Sequence, residues 1–197
     1  MTTLSYYNKN AIQFISDTID VTFTEIQDIF LDYLPRGGKI LDFGCGSGRD
    51  TKYFLSKGYD VDAIDGSEEL CKIASEHTGI CVKQMLFEEL ETTCEYDGIW
   101  ACASILHVEK IHLPDVIQRI ATATKTNGTV YLSFKYGDFE GVKNGRYFTY
   151  LTEKSFEELI QNIPILTIDK LWISKDVRAG RGDEQWLNLI LKKQALD

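Results

Sequence analysis

Three observations predict an α/β fold: a mostly parallel sheet lying between two layers of helices. Short apolar runs alternate with helix-periodic segments along most of the 197 residues. The first of these runs breaks into three glycines at alternate positions, Gly44, Gly46 and Gly48. The last two runs follow one another across a polar loop with no helix between them. Alternating strands and helices imply parallel strands with right-handed crossovers and helices on both faces. The last pair of runs implies an antiparallel hairpin at one edge.

In order, Tyr7, Ala11, Phe14 and Ile15 share one helical face, and Phe23, Ile26, Phe30 and Tyr33 share another. Pro35 to Gly38 stop the second helix. "KILDF" reads as a strand, "TKYFLSK" as a helix closed by Gly58, and "YDVDAID" as a second strand. "SEELCKIASEH" is a helix capped by Ser67. "GICVKQM" is a third strand. "YDGIWACAS" is nearly all apolar after Asp97, as a strand buried on both faces should be. Leu113 to Lys125 places Ile117, Ile120, Ala121 and Thr124 on one helical face. "NGTVYLSFKY" is a fifth strand, Thr152 caps a helix carrying Phe156, Leu159, Ile160 and Ile163, and "ILTIDKLWIS" and "QWLNLILKK" form the edge hairpin, with Trp172 and Trp186 as packing residues.

The length suits one domain over residues 1–197, with a helical N-terminal part (1–35) before an α/β core (36–193). No apolar run is long enough to cross a membrane, and the N-terminus lacks the basic and apolar regions of a signal peptide, so a cytoplasmic location is expected. A net charge of −9 argues against general affinity for nucleic-acid backbones. The five cysteines form no C-x-x-C pair and have no histidine at ligand spacing, so they read as reduced thiols and no metal site is expected.

A glycine-rich turn after the first strand lets the backbone approach a ligand closely at the carboxyl ends of the strands. Asp65 ends the second strand, where a carboxylate can accept both hydroxyls of a ribose. Together Gly44, Gly46, Gly48 and Asp65 describe a nucleoside site. The dinucleotide pattern G-x-G-x-x-G would need glycine at position 49, which here is Arg49, so a nicotinamide-dependent oxidoreductase is disfavoured. Arg49 either reaches a ligand carboxylate or pairs with a nearby acid on its helix.

These residues resemble class I S-adenosylmethionine-dependent methyltransferases. "ILDFGCGSGRD" is similar to that superfamily's first motif, Asp65 to its second, "QMLFEEL" to the third and "YDGIWACASILHV" to the fourth. "NGTVYLSFKYG" looks like the strand bordering the active site. The glycine–arginine stretch followed by "GYDVDAID" is most similar to small bacterial methyltransferases described as tellurite-resistance type. The resemblance implies a Rossmann-like three-layer αβα fold with a seven-stranded sheet ordered 3-2-1-4-5-7-6. It also implies S-adenosyl-L-methionine as cofactor. Tyr7, Asp42, Gly44, Cys45, Gly46, Arg49, Asp65, Gly66, Ser67, Leu86, Phe87, Glu88, Ala101, Cys102 and Leu106 are the expected cofactor residues. Many relatives carry Asp where Leu86 stands, so Glu88 is the candidate substitute for contact with the adenine.

Methyl transfer needs alignment, exclusion of water and, for some acceptors, removal of a proton. His107, after the fourth strand, is the candidate base, against a plain packing role. Arg178 and Arg181, in the loop of the edge hairpin, are candidates for holding an anionic acceptor, against a solvated hairpin tip. Lys135 and Tyr136 end the fifth strand near the same place. The expected enzyme is a monomer or homodimer that methylates a small molecule. Neither a nucleic acid nor a membrane is expected as a partner. A methyltransferase acting on protein or nucleic acid and a non-catalytic binder of the cofactor are the alternatives.

Overall fold

The computed structural model describes residues 2–178 and 180–195. Helices α1 (Thr3–Ser16) and α2 (Thr24–Leu31) come first. Strand and helix then alternate: β1 (Lys39–Phe43), α3 (Arg49–Ser56), β2 (Asp60–Asp65), α4 (Glu68–Thr78), β3 (Lys83–Gln84), β4 (Tyr96–Ala101), α5 (Leu113–Ala123) and β5 (Thr124–Lys135). A small hairpin, β6 (Glu140–Lys143) and β7 (Arg146–Thr149), precedes α6 (Glu153–Ile160), β8 (Leu166–Lys175) and β9 (Gln185–Lys193).

The main sheet has seven strands in the order β3-β2-β1-β4-β5-β9-β8. With the small hairpin set aside, this is the expected 3-2-1-4-5-7-6 order. Strands β1 to β5 pair in parallel, and β9 is antiparallel to both β5 and β8. The order reverses between β1 and β4, so their carboxyl ends open a crevice there.

Period-2 alternation assigns the two faces. Ile99, Val130, Leu132, Leu189 and Leu191 pack with α5 and α6. Trp100, Tyr131 and Ile190 point the other way, onto Ile26, Phe30 and Phe54 of α2 and α3. There the Trp100 and Tyr131 rings stack at 4.0 Å. Ser67 caps α4 through its Oγ, which accepts from Leu70 N, and Thr152 caps α6 in the same way.

Two local expectations differ from the structure. The third strand shrinks from the run Gly79–Met85 to Lys83–Gln84, because at the sheet edge it has one neighbour and only two pairings with β2. The β6–β7 hairpin was not anticipated; it turns at Asn144 and Gly145, both at positive φ, the Asn-Gly signal of a tight hairpin.

Helix α1 lies across the carboxyl ends of the strands. Near its middle Ser67 Oγ donates to Asn8 Oδ1 at 2.6 Å, and at its N-terminal end Tyr147 N donates to Thr3 Oγ1 at 2.9 Å. It thus bridges the start of α4 and strand β7.

Candidate active site

A cavity of about 690 Å³ opens beneath α1, a volume in the usual range for small-molecule sites. Its walls come from α1, the turn after β1, the end of β2, the segment after β3, the segment after β4, β7 and the β8–β9 loop.

The glycine turn forms the floor. Gly44 N and Cys45 N both donate to Ile64 O at 2.9 Å, and Gly48 N donates to Cys45 O. Gly46 N donates to Asp65 Oδ2 at 3.0 Å. These N–H groups have partners within the chain, so the turn's contribution is a wall without side chains. A Cβ on Gly44 would stand 2.5 Å from Ser104 Cβ, and one on Gly46 would stand 3.0 Å from the Phe14 ring; both residues have positive φ.

Asp65 lines the cavity with a half-buried carboxylate whose other oxygen accepts from Ser67 N at 2.8 Å. Burial pushes its pKa up, and backbone N–H groups of Ser67, Gly46 and Gly66 oppose that. Each oxygen keeps a lone pair for a further donor. Leu86, Phe87 and Glu88 form the neighbouring wall, with Phe87 packed on Phe43 at 4.7 Å. The carboxylate that accepts from Leu86 N is that of Glu89, at 2.7 Å; Glu88 is exposed at the rim. Burial pushes the Cys102 thiol up to about 12 and the Cys45 thiol well above its usual value, so neither is a nucleophile near neutrality.

His107 sits in the single helical turn after β4. Its Nδ1 lies 2.6 Å from Tyr147 O, which can only accept, so Nδ1 carries the proton. In the neutral ring Nε2 therefore accepts from the Tyr7 hydroxyl, 2.8 Å away. Burial, with Arg146 and Lys135 nearby, pulls the imidazole pKa down to about 4 against the Tyr147 hydrogen bond. Burial raises the Tyr7 phenol, while Arg146 opposes that rise.

Tyr7, Gly44, Cys45, Gly46, Arg49, Asp65, Gly66, Leu86, Phe87, Glu88, Cys102, Leu106, His107, Arg178 and Arg181 all line this cavity. Asp42, Ser67 and Ala101 do not. The Asp42 carboxylate turns beneath the glycine turn and accepts from Thr51 Oγ1 at 2.6 Å, buried where Asp50 lifts its pKa further. Ser67 Oγ is used by Leu70 N and Asn8, and Ala101 is fully buried at the end of β4. Arg49 takes the second of its two expected courses: its Nε and Nη2 donate to Asp50, which also accepts from Gln27 and Trp100. Arg178 pairs through two nitrogens with the buried carboxylate of Asp176.

Three lining residues were missed as site residues. Trp186, expected to pack an edge strand, faces the cavity, and Ser104 and Arg146 line it as well. The signal for Arg146 was the Asn144-Gly145 turn, which makes it the first residue of a hairpin strand. Among the described residues no three His, Cys, Asp or Glu side chains converge as metal ligands. No described helix is long and apolar enough to cross a membrane.

The family described as "Methyltransferase domain" matches residues 7–172. A relative described as an uncharacterized methyltransferase, from Staphylococcus carnosus, is 26% identical over 69% of this chain and 73% of its own length. A ubiquinone biosynthesis O-methyltransferase of Xanthomonas axonopodis is 30% identical over 50% of the chain, which spans 44% of that enzyme's length. Among solved structures, the fold matches the 1,6-didemethyltoxoflavin-N1-methyltransferase of Burkholderia thailandensis, solved with bound 1,6-didemethyltoxoflavin and S-adenosylhomocysteine. The TM-score is 0.72 at 21% identity, over 98% of this chain and 91% of that one. It also matches a TehB-like methyltransferase of Corynebacterium glutamicum, with TM-score 0.70 at 18% identity over 96% and 97% of the two chains.

Proposed function

The chain belongs to the class I S-adenosylmethionine-dependent methyltransferases, and from that premise we propose that it methylates a small, anionic acceptor inside the cavity under α1. S-adenosylmethionine, the cofactor, supplies a methyl group made electrophilic by the positive sulfur that carries it.

The chain's own residues fit that cofactor. Asp65 holds the ribose hydroxyls on its free lone pairs. Leu86, Phe87 and the rim residue Glu88 meet the adenine. Gly44, Cys45 and Gly46 pass the methionine portion, because a Cβ on Gly44 or Gly46 would collide with its neighbours. Cys102 and Leu106 border the reacting centre. The buried Ser104 Oγ, which has no partner among the described residues, is a further donor beside Gly44.

At the other end the neutral His107 orients Tyr7: its Nε2 accepts from the Tyr7 hydroxyl while Nδ1–H stays on the Tyr147 carbonyl, which fixes Tyr7 Oη beside the acceptor. Helix α1, as a lid carrying Tyr7 and Phe14, excludes water from this end. A small acceptor is favoured by this enclosure, and an anionic one by the Arg146, Lys135, Arg178 and Arg181 side chains along the walls. The reading extends to a single-domain cytoplasmic enzyme acting as a monomer or homodimer.

The observation that carries the proposal is one cavity with a half-buried carboxylate, a glycine-rich turn and a basic wall arranged along it. Calorimetric titration tests it. Wild type should bind S-adenosylmethionine and S-adenosylhomocysteine but not NAD, and Asp65→Ala should lose both. Absence of binding by the wild type would refute the assignment.

A further inference from the structure

Among the described residues, two buried side-chain polar atoms have no hydrogen-bond partner: Ser104 Oγ and Arg146 Nε. Both residues line the same cavity. An unpaired polar atom shielded from water is costly, and for a guanidinium the cost is larger than for a hydroxyl.

Three other basic groups of this wall have carboxylates. Arg49 has Asp50, Lys135 has Glu184 and Arg178 has Asp176. No described Asp or Glu pairs with Arg146. Its guanidinium is instead enclosed by aromatic rings, with Tyr6 at 4.9 Å, Phe148 at 5.1 Å and Tyr7 at 5.8 Å. Rings can attract a cation but cannot accept its in-plane N–H groups as an oxygen does. Only Nη1 has such a partner, donating to Tyr7 Oη at 3.3 Å. The edge that carries Nε awaits an acceptor.

Resting on the methyltransferase reading above, we infer that Arg146 anchors the methyl acceptor by a carboxylate or oxyanion, beside the Tyr7 hydroxyl. The position sets which molecules are methylated. The anion takes the Nε–H while Nη1 stays on Tyr7 Oη, so one guanidinium ties the anionic group to the Tyr7 end of the cavity. The chain's overall charge of −9 gives such a ligand no general attraction. Selection therefore rests on this one guanidinium and its forked N–H geometry. Because Arg178 is already paired, the expected anion-binding role in the β8–β9 loop passes to a residue on β7.

The test uses the full chain saturated with S-adenosylhomocysteine and follows the arginine Nε–H signals by NMR, with the Arg146 signal assigned from Arg146→Lys. Sodium benzoate, sodium phosphate and benzylamine are titrated separately. The expected result is a saturable shift of the Arg146 signal with benzoate, phosphate or both, and none with benzylamine. Benzoate alone would specify a carboxylate, and phosphate alone a tetrahedral oxyanion. Arg146→Gln should weaken that binding about tenfold or more, Arg146→Lys should restore part of it, and Arg36→Gln, exposed and outside the cavity, should change it little. S-adenosylhomocysteine should bind Arg146→Gln as it binds wild type, which also shows that the variant is folded.

Four results would overturn the inference: no saturable shift with either anion, equal shifts with benzylamine, an equal loss of binding in Arg36→Gln, or an Arg146 signal moved by S-adenosylhomocysteine and thereafter insensitive to anions. The last would assign Arg146 to the cofactor. Failure of S-adenosylhomocysteine to bind the wild type would instead refute the underlying methyltransferase reading.

Discussion

His107 should remain neutral well below the pH at which a free histidine is protonated. Enclosure under α1 and the nearby Arg146 and Lys135 cations lower its pKa from 6.5 to about 4. Between these two pH values the unfolded chain binds a proton that the folded chain does not, so stability rises with pH. The contribution is fully present above pH 6.5 and is lost as pH falls through 4. A difference of roughly 2.5 pH units corresponds to about 3 kcal/mol.

Two assays read this. NMR titration of the three histidines should show one imidazole, absent in His107→Gln, that keeps its Nδ1–H tautomer down to about pH 5. Urea unfolding between pH 4.5 and 7 should show wild type losing stability on acidification faster than His107→Gln, by at most about 1.4 kcal/mol per pH unit. Arg146→Gln, by removing one of the two cations, should raise the His107 midpoint. A midpoint near 6.5, or parallel stability curves for wild type and His107→Gln, would refute the enclosure argument.

Three further outcomes are expected. Gly44→Ala puts a Cβ 2.5 Å from the backbone-anchored Ser104 Cβ at a φ of +88°, so it should cost about 2–3 kcal/mol and abolish S-adenosylhomocysteine binding; a calorimetric trace like wild type would contradict this. Asp42→Asn should gain stability relative to wild type as pH rises from 6 to 9. The buried wild-type carboxyl is pushed up to about 8, so its stabilising protonated form is lost in that window, and urea unfolding at the two ends measures the difference. Asp176→Ala leaves Arg178 and the Trp186 indole N–H without their acceptor, which should cost about 2 kcal/mol in thermal unfolding while S-adenosylhomocysteine binding persists.

The legible part of this protein is local in sequence. Alternating strand and helix patterns, the Ser67 and Thr152 caps and the glycine spacing after β1 each depend on residues a few positions apart. The parallel sheet and its antiparallel edge followed from them. Even there, local pattern could not say which way a side chain turns. Asp42 and Asp65 both stand at or near strand ends, yet Asp42 turns under the turn to Thr51 while Asp65 faces the cavity. Arg49 had two candidate partners, and Asp50 occupies its Nε and Nη2.

The end of the cavity at Tyr7, His107 and Arg146 was decided by tertiary structure. Tyr7 meets His107 across 100 positions of sequence and Arg146 across 139. No periodicity or motif spans such separations; they close because α1 is tied to α4 at Asn8 and to β7 at Thr3. The sequence by itself determined the sheet, the glycine turn and the carboxylate at its crossover, since backbone geometry and side-chain period dictate these locally. Only the packed chain decided which basic side chain lacks a carboxylate and which histidine nitrogen holds the proton, because both depend on neighbours that folding alone brings within hydrogen-bond reach.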